Sequence, residues 1–175
     1  ATGPLRSWQP FIDMLSKMDN PVLGILAGLI FTAIIQSSAA TTGLVIVLAA
    51  QGSISLEAGI AVALGANIGT CITAALAAIG KPTEALRIAV VHVLLKVFGV
   101  LIWIALIPAL ADWVRRISPT FPNLTDAERM ARETPRQIAN AHTLFNIANT
   151  CLFIWFVSPL AKLVEKLVPA RREEK

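Results

Sequence analysis

Charged positions divide the chain into apolar blocks. Residues 20–56 carry no charged side chain, nor do residues 58–80 and 137–161, and residues 88–111 carry one, Lys96. At about 1.5 Å per residue, the last three stretches give roughly 34–38 Å of helix each, enough to cross a hydrocarbon core of about 30 Å. The pattern predicts spans over 58–80, 88–111 and 137–161. The first stretch, 37 residues between the charges at Asp19 and Glu57, does not fit one span. As a single helix it would reach about 55 Å, and two full spans of about 20 residues plus a turn need slightly more chain. A polar heptad sits at its middle, Gln36-Ser37-Ser38-Ala39-Ala40-Thr41-Thr42, with apolar runs Val22 to Ile35 and Gly43 to Ala50 on either side. A re-entrant hairpin over 21–56 satisfies these lengths, with the heptad at its tip. Non-helical backbone at that depth is tolerated only against protein or a watery cavity. The alternative is a pair of tight spans with the polar turn at the far surface.

The second stretch is interrupted near its centre by Gly65-Ala66-Asn67-Ile68-Gly69-Thr70, which predicts a broken span. Small residues recur four apart at Ala61, Gly65 and Gly69, and again at Gly24 and Gly28. Such spacing lets helices approach closely in lipid. A polar connection over 112–136 holds Arg115, Arg116, Arg129, Arg132 and Arg136. Within it Thr125 to Glu133 suits a short amphipathic surface helix, and Thr134-Pro135 suits an N-cap with Pro at N1 of the last span. Residues 1–20 form an N-terminal flank, 21–168 the membrane unit and 169–175 a tail of both signs. The predicted fold is all-α and integral to the membrane: one re-entrant hairpin plus about three transmembrane helices, one broken at its centre. That unit crosses the membrane an odd number of times, so a second copy would sit upside down. This is the geometry of an inverted-repeat transporter, of which such a unit would be one half.

Composition agrees with the pattern. The 175 residues are 55% hydrophobic and 15% charged, against roughly 25% charged for a soluble domain. Disorder needs the opposite balance. The net charge of +4 comes from Lys and Arg that flank apolar stretches, which points away from nucleic acid. Five basic residues on either side of the last stretch leave the positive-inside count undecided. Cys71 and Cys151 lie inside apolar runs and match no metal or disulfide spacing. The chain starts at Ala1 without an initiator Met, so a processing boundary and a larger parent are expected.

The heptad carries the candidate chemistry. Ser37 and Ser38 open the second half-helix of the hairpin. Its free N–H groups and positive dipole end would face the protein interior, an anion site built from backbone and hydroxyls. Gln36 adds an amide, Thr41 and Thr42 add hydroxyls one turn on, and the carbonyl end of the first half-helix suits a hard cation. Asn67 and Thr70 supply further oxygens. An anion beside a small cation, without fixed charge, is what coupled symport needs. Lys96 is a charge well inside its stretch, and such charges are costly and often functional. It lies one turn from His92. It reads either as a fixed cation beside the anion pathway, standing in for a bound sodium, or as a snorkelled or locally hydrated side chain. His92 and His142 read as polar residues bonded between helices.

Gln36-Ser37-Ser38 with Thr41-Thr42, followed by Gly65-Ala66-Asn67-Ile68-Gly69-Thr70, resembles the repeat signature of the type II sodium–phosphate cotransporters. The stretch from Arg136 to Asn146, Arg-Gln-Ile-Ala-Asn-Ala-His-Thr-Leu-Phe-Asn, is similar to bacterial members. The resemblance covers about residues 20–168 and looks more like the second repeat than the first. It implies sodium-coupled transport of inorganic phosphate in a multi-pass cell-membrane protein, the bacterial inner membrane being expected. Phosphate would lie at Gln36, Ser37 and Ser38. Sodium, the one metal expected, would lie at Gln36, Thr41, Thr42, Asn67 and Thr70, and Lys96, His92 and Asn146 are pathway candidates. No organic cofactor is expected, only sodium as coupling ion. The expected partners are phosphate, sodium, lipid and a second repeat or second copy of the chain. Two positions depart from the family pattern: Ala39 where a third Ser is common, and Lys96 where a His-x-Leu-Phe-Asn stretch would end in Asn. The competing readings are a non-transporting half-transporter or scaffold, and an intramembrane serine hydrolase. The hydrolase lacks a nucleophile elbow and any carboxylate within the apolar stretches to orient a histidine.

Overall fold

The computed structural model describes residues 17–169, which form eight α-helices and no strand. Three helical stretches are long and apolar enough to cross a membrane: Leu56–Ala78, Thr83–Ile117 and Asp126–Leu167. The chain is an all-helical membrane protein. The expected flank over 1–20 and tail over 169–175 lie mostly outside the described residues.

Helix α1 (Pro21–Ile35) starts where its residues favour a start. Asn20 caps it by accepting from the N–H groups of Val22 and Leu23, and Pro21 fills the first turn where no donor is needed. It stops at Gln36, held in the left-handed region at φ 58° and ψ 28°. Ser37 is extended and caps α2 (Ser38–Ala50) through the Ala40 N–H. The polar heptad therefore makes a two-residue turn between two short helices, about 22 and 20 Å long at 1.5 Å per residue.

Helix α3 (Leu56–Gly69) continues into α4 (Cys71–Ala78). Thr70 between them keeps helical angles, φ −60° and ψ −24°, and its N–H still bonds the Ala66 carbonyl. The expected break is thus confined to Thr70, and Gly65 and Asn67 sit in regular helix. The reason for the glycines lies in packing. Helix α1 runs parallel to α3, and each small residue meets its partner level by level. A Cβ on Gly24 would lie 2.8 Å from the Ala61 Cβ, one on Gly28 would overlap the Val62 carbonyl, and one on Gly65 would overlap the Ile25 carbonyl. A Cβ on Gly69 would reach Thr32 at 2.7 Å. The two helices start together too, since the Ser55 hydroxyl donates to Asp19 at 2.9 Å. Gln36 therefore lies about one turn beyond the level of Gly69, short of the end of the Leu56–Ala78 span.

Helix α5 (Thr83–Trp103) passes through a 3₁₀ turn (Ile104–Leu106) into α6 (Ile107–Ile117). Helix α7 (Asp126–Phe153) passes through a second 3₁₀ turn (Ile154–Phe156) into α8 (Val157–Leu167). These helices extend past the uncharged stretches, because an amphipathic helix end tolerates charges that a core position does not. The polar connection accordingly shrinks to residues 118–125. The start expected at Thr134-Pro135 is replaced by one at Asp126, with Pro135 inside the helix. The physical cause is upstream. Thr125 and Glu128 form a reciprocal capping box, in which the Thr125 N–H donates to Glu128 at 3.0 Å and the Glu128 N–H donates back at 3.4 Å. Two donors satisfied at once favour that start. Thr125→Ala should fray the first turns of α7 by about 1 kcal/mol. Amide hydrogen exchange over residues 126–133 would accelerate about fivefold, while exchange beyond Gln137 stays unchanged.

The core lies between α1, α2, α3, α6 and α7, around Ile60, Ala61, Val114, Ile138 and Phe145. Phe145 also meets Trp103 edge to face at 5.8 Å. Charges gather at the end where α1 and α3 begin. Arg115 bridges Glu57 at 2.5 Å and Asp112 at 3.0 Å, and Arg129 lies 3.7 Å from both Asp126 and Glu133. Helices α5 and α7 leave broad apolar faces uncovered, with Ile88, Leu101 and Ile147 among the exposed residues. Lipid suits such faces.

Candidate functional site

The hairpin tip presents its polar groups in two layers. Gln36 is exposed and Ser37 and Ser38 are half-buried. Gln36 is the one non-glycine residue at positive φ among the described residues. A left-handed position costs an L-residue roughly 1–2 kcal/mol. That strain, stored at the tip, turns the chain so that Ser38 begins α2. The Ser37 oxygen accepts the Ala40 N–H at 3.2 Å, which leaves its own proton free to be donated.

The lower layer is buried. Thr41 bonds Thr32 through their hydroxyls at 2.6 Å and also donates toward the Ser37 carbonyl at 3.2 Å. Thr32 is fully buried and ties α1 to α2 below the turn. Sequence reasoning missed it. The available signal was a lone Thr in an apolar run, one turn before Gln36. The Thr42 hydroxyl is buried without a partner among the described residues.

A second polar centre lies across the helices. Lys96 on α5 donates to the Asn67 Oδ1 on α3 at 3.0 Å and to the Asn146 Oδ1 on α7 at 3.1 Å. Each amide is oriented by its own helix: the Asn67 Nδ2 donates to the Ala63 carbonyl at 3.1 Å, and the Asn146 Nδ2 to the His142 carbonyl at 2.8 Å. Both oxygens are therefore aimed at the ammonium. Thr70 donates back to Ala66 at 2.9 Å, which occupies its proton but leaves lone pairs. His92 is half-buried, and its carbonyl lies 3.8 Å from the Cys71 sulfur. Asn149, a further residue missed from sequence, is buried at 7% exposure with its Oδ1 unpartnered among the described residues.

Three of the expected site residues, Asn67, Lys96 and Asn146, thus meet directly. Gln36, Ser37, Ser38, Thr41 and Thr42 gather at the hairpin instead. Thr32 connects the two groups in level, since it packs at Gly69, two residues beyond Asn67. No group of His, Cys, Asp and Glu among the described residues has the form of a transition-metal site. Neither histidine shares a hydrogen bond with Ser37 or Ser38 among the described residues.

Two short helices joined at a polar turn thus pack beside an apolar span, and hydroxyls and amides rather than carboxylates line the helix contacts. Comparison with known proteins gives the class. The Na+/Pi-cotransporter family matches residues 9–117, and the chain belongs to that family. It is 31% identical over 170 residues to the protein YqeW of Bacillus subtilis (strain 168), covering 97% of this chain and 51% of that protein. It is 41% identical over 92 residues to the human sodium-dependent phosphate transport protein 2C, covering 50% of this chain and 15% of that protein. Over 63 residues it is 41% identical to the human sodium-dependent phosphate transport protein 2B, covering 36% of this chain and 9% of that protein. The chain spans about half the length of its Bacillus relative or less of the others. No solved structure gives a significant match. The two human relatives are named as sodium-dependent phosphate transport proteins.

Proposed function

We propose that this chain is one half of a sodium-coupled inorganic phosphate transporter in the bacterial inner membrane, and that α1 and α2 form a re-entrant hairpin. The observation that carries the reading is the level of the tip. Helix α1 begins beside the start of the Leu56–Ala78 span, and Gln36 stops short of that span's end. A turn inside the membrane needs protein or water around it, and an inverted second repeat, or a second copy of the chain, would enclose it on the open side.

In this reading phosphate lies at Gln36, Ser37 and Ser38, against the N-terminus of α2. Sodium lies among Gln36, Thr41, Thr42, Asn67 and Thr70. Thr42 is the best supplied of these, because its buried oxygen has no other partner among the described residues. Lys96, His92 and Asn146 border the pathway. The two ions partly neutralise one another, which lowers the cost of carrying each across the low-dielectric core.

The test uses thiol labelling in a chain with Cys71 and Cys151 replaced by alanine. A Cys introduced at position 37 or 38 should react with a membrane-impermeant thiol reagent. Phosphate and sodium together should protect it, and neither ion alone should do so fully. Labelling that the ions leave unchanged would defeat the hairpin site and favour two full spans with a surface turn.

A further inference from the structure

The two long arms of the molecule repeat one another. The 3₁₀ turns Ile104–Leu106 and Ile154–Phe156 lie fifty residues apart, as do α6 (Ile107–Ile117) and α8 (Val157–Leu167). The backbone matches where each turn ends: Leu106 has φ −101° and ψ 4°, and Phe156 has φ −103° and ψ 9°. Side chains follow the same spacing at Ile88 and Ile138, His92 and His142, Leu110 and Leu160, and Val114 and Val164. The arms also exchange their ends. The Arg87 Nε on α5 donates to the Val168 carbonyl at 3.0 Å, and the Asn140 Nδ2 on α7 donates to the Ser118 hydroxyl at 2.8 Å.

Equivalent positions touch at the centre. Gly99 lies against Asn149, and Lys96 bonds Asn146. Where they meet, α7 has an amide, Asn146, and α5 has an ammonium, Lys96. The ammonium sits where two amide oxygens converge. Convergent amide oxygens are ligands for a hard monovalent cation, because they replace its hydration shell. A third oxygen, the unpartnered Asn149 Oδ1, is buried one turn along α7. Gly99 makes room for it, since a Cβ there would lie 2.5 Å from that oxygen. Among the described residues, no ion pair involves Lys96.

We propose that Lys96 is a tethered cation that fills a second cation position, formed by Asn146 and by the Asn67 oxygen it shares with the sodium site above. The inference rests on the transport reading above and deepens it. A covalently held charge cannot leave with the substrate. This half therefore binds one sodium fewer than a chain with an amide at position 96, and it keeps a fixed positive charge beside the anion route. Asn at position 96 would match Asn146 at the equivalent position of the other arm.

The test counts radioactive sodium bound per chain to the purified protein in detergent, without phosphate, and then titrates phosphate at several sodium concentrations. Lys96→Asn should bind one sodium more per chain than the wild type, and the slope of log phosphate affinity against log sodium should rise by about one. Lys96→Arg should keep the wild-type count. Lys96→Gln serves as a second amide variant if Lys96→Asn does not give a monodisperse protein. An unchanged sodium count in a folded amide variant overturns the proposal, with or without phosphate binding. A gained sodium without phosphate binding in any variant would keep the tethered cation and defeat the transport reading instead.

Discussion

Removing either hairpin hydroxyl should weaken phosphate binding about 10- to 100-fold. Phosphate is strongly hydrated, and the site must replace its water with donors. Backbone N–H groups at the start of α2 supply some of them. The Ser37 proton, free because its oxygen rather than its hydrogen is used in capping, and the Ser38 hydroxyl supply others. A hydrogen bond to a charged group contributes about 1.5–3 kcal/mol, and about 1.4 kcal/mol changes affinity tenfold. Ser38→Ala tests this directly. At position 37 alanine would also remove the helix cap, worth about 1 kcal/mol, whereas glycine retains most of the capping preference. Ser37→Gly is therefore the cleaner variant. Calorimetric titration with phosphate at fixed sodium gives the affinities. Values within threefold of wild type for both would remove the serines from the phosphate site.

Gly65 should be the most sensitive position for stability. It lies where α3 meets α1, and a Cβ there overlaps the Ile25 carbonyl. Backbone cannot swing aside as a side chain can, so α1 must shift as a unit, and with it the hairpin. Overpacking a tight contact costs typically about 1–3 kcal/mol, and Gly65→Val should reach or exceed the upper figure. Gly43 provides the opposite case. It is inside α2 with no atom within 4 Å of a built Cβ, so Gly43→Ala should stabilise by roughly 0.5–1 kcal/mol through helix propensity. Thermal unfolding in detergent, followed by circular dichroism, measures both. The same sign at the two positions would show that the α1–α3 contact does not hold the hairpin in place.

Much of the candidate site was legible before folding was considered. The heptad stood out because five polar residues in seven are costly in an apolar stretch, so their presence needs a reason. Lys96 stood out for the same cause. The small residues at Gly24, Gly28, Ala61, Gly65 and Gly69 marked an interface by spacing alone. Their reading as a weakened helix at Gly65 and Asn67 was less accurate, because the same residues serve close packing within an intact helix. Thr32 and Asn149 were overlooked. Each is a single polar residue in an apolar run, and only its burial distinguishes it from an ordinary helix position.

The chain's own order of apolar and polar residues determined that it forms helices, that they belong in a membrane and where the first helix must turn. Those features follow from local terms: segment length against bilayer thickness, caps at Asn20 and Ser37, and proline and serine at helix starts. Tertiary structure alone decided that α1 lies parallel to α3, that the two long arms meet at Gly99 and Asn149, and that Lys96 rests between Asn67 and Asn146. Residues 67, 96 and 146 are separated by 29 and 50 positions. No periodicity within one helix relates them. Their meeting depends on which faces the close glycine contacts leave free, and that is a property of the packed molecule.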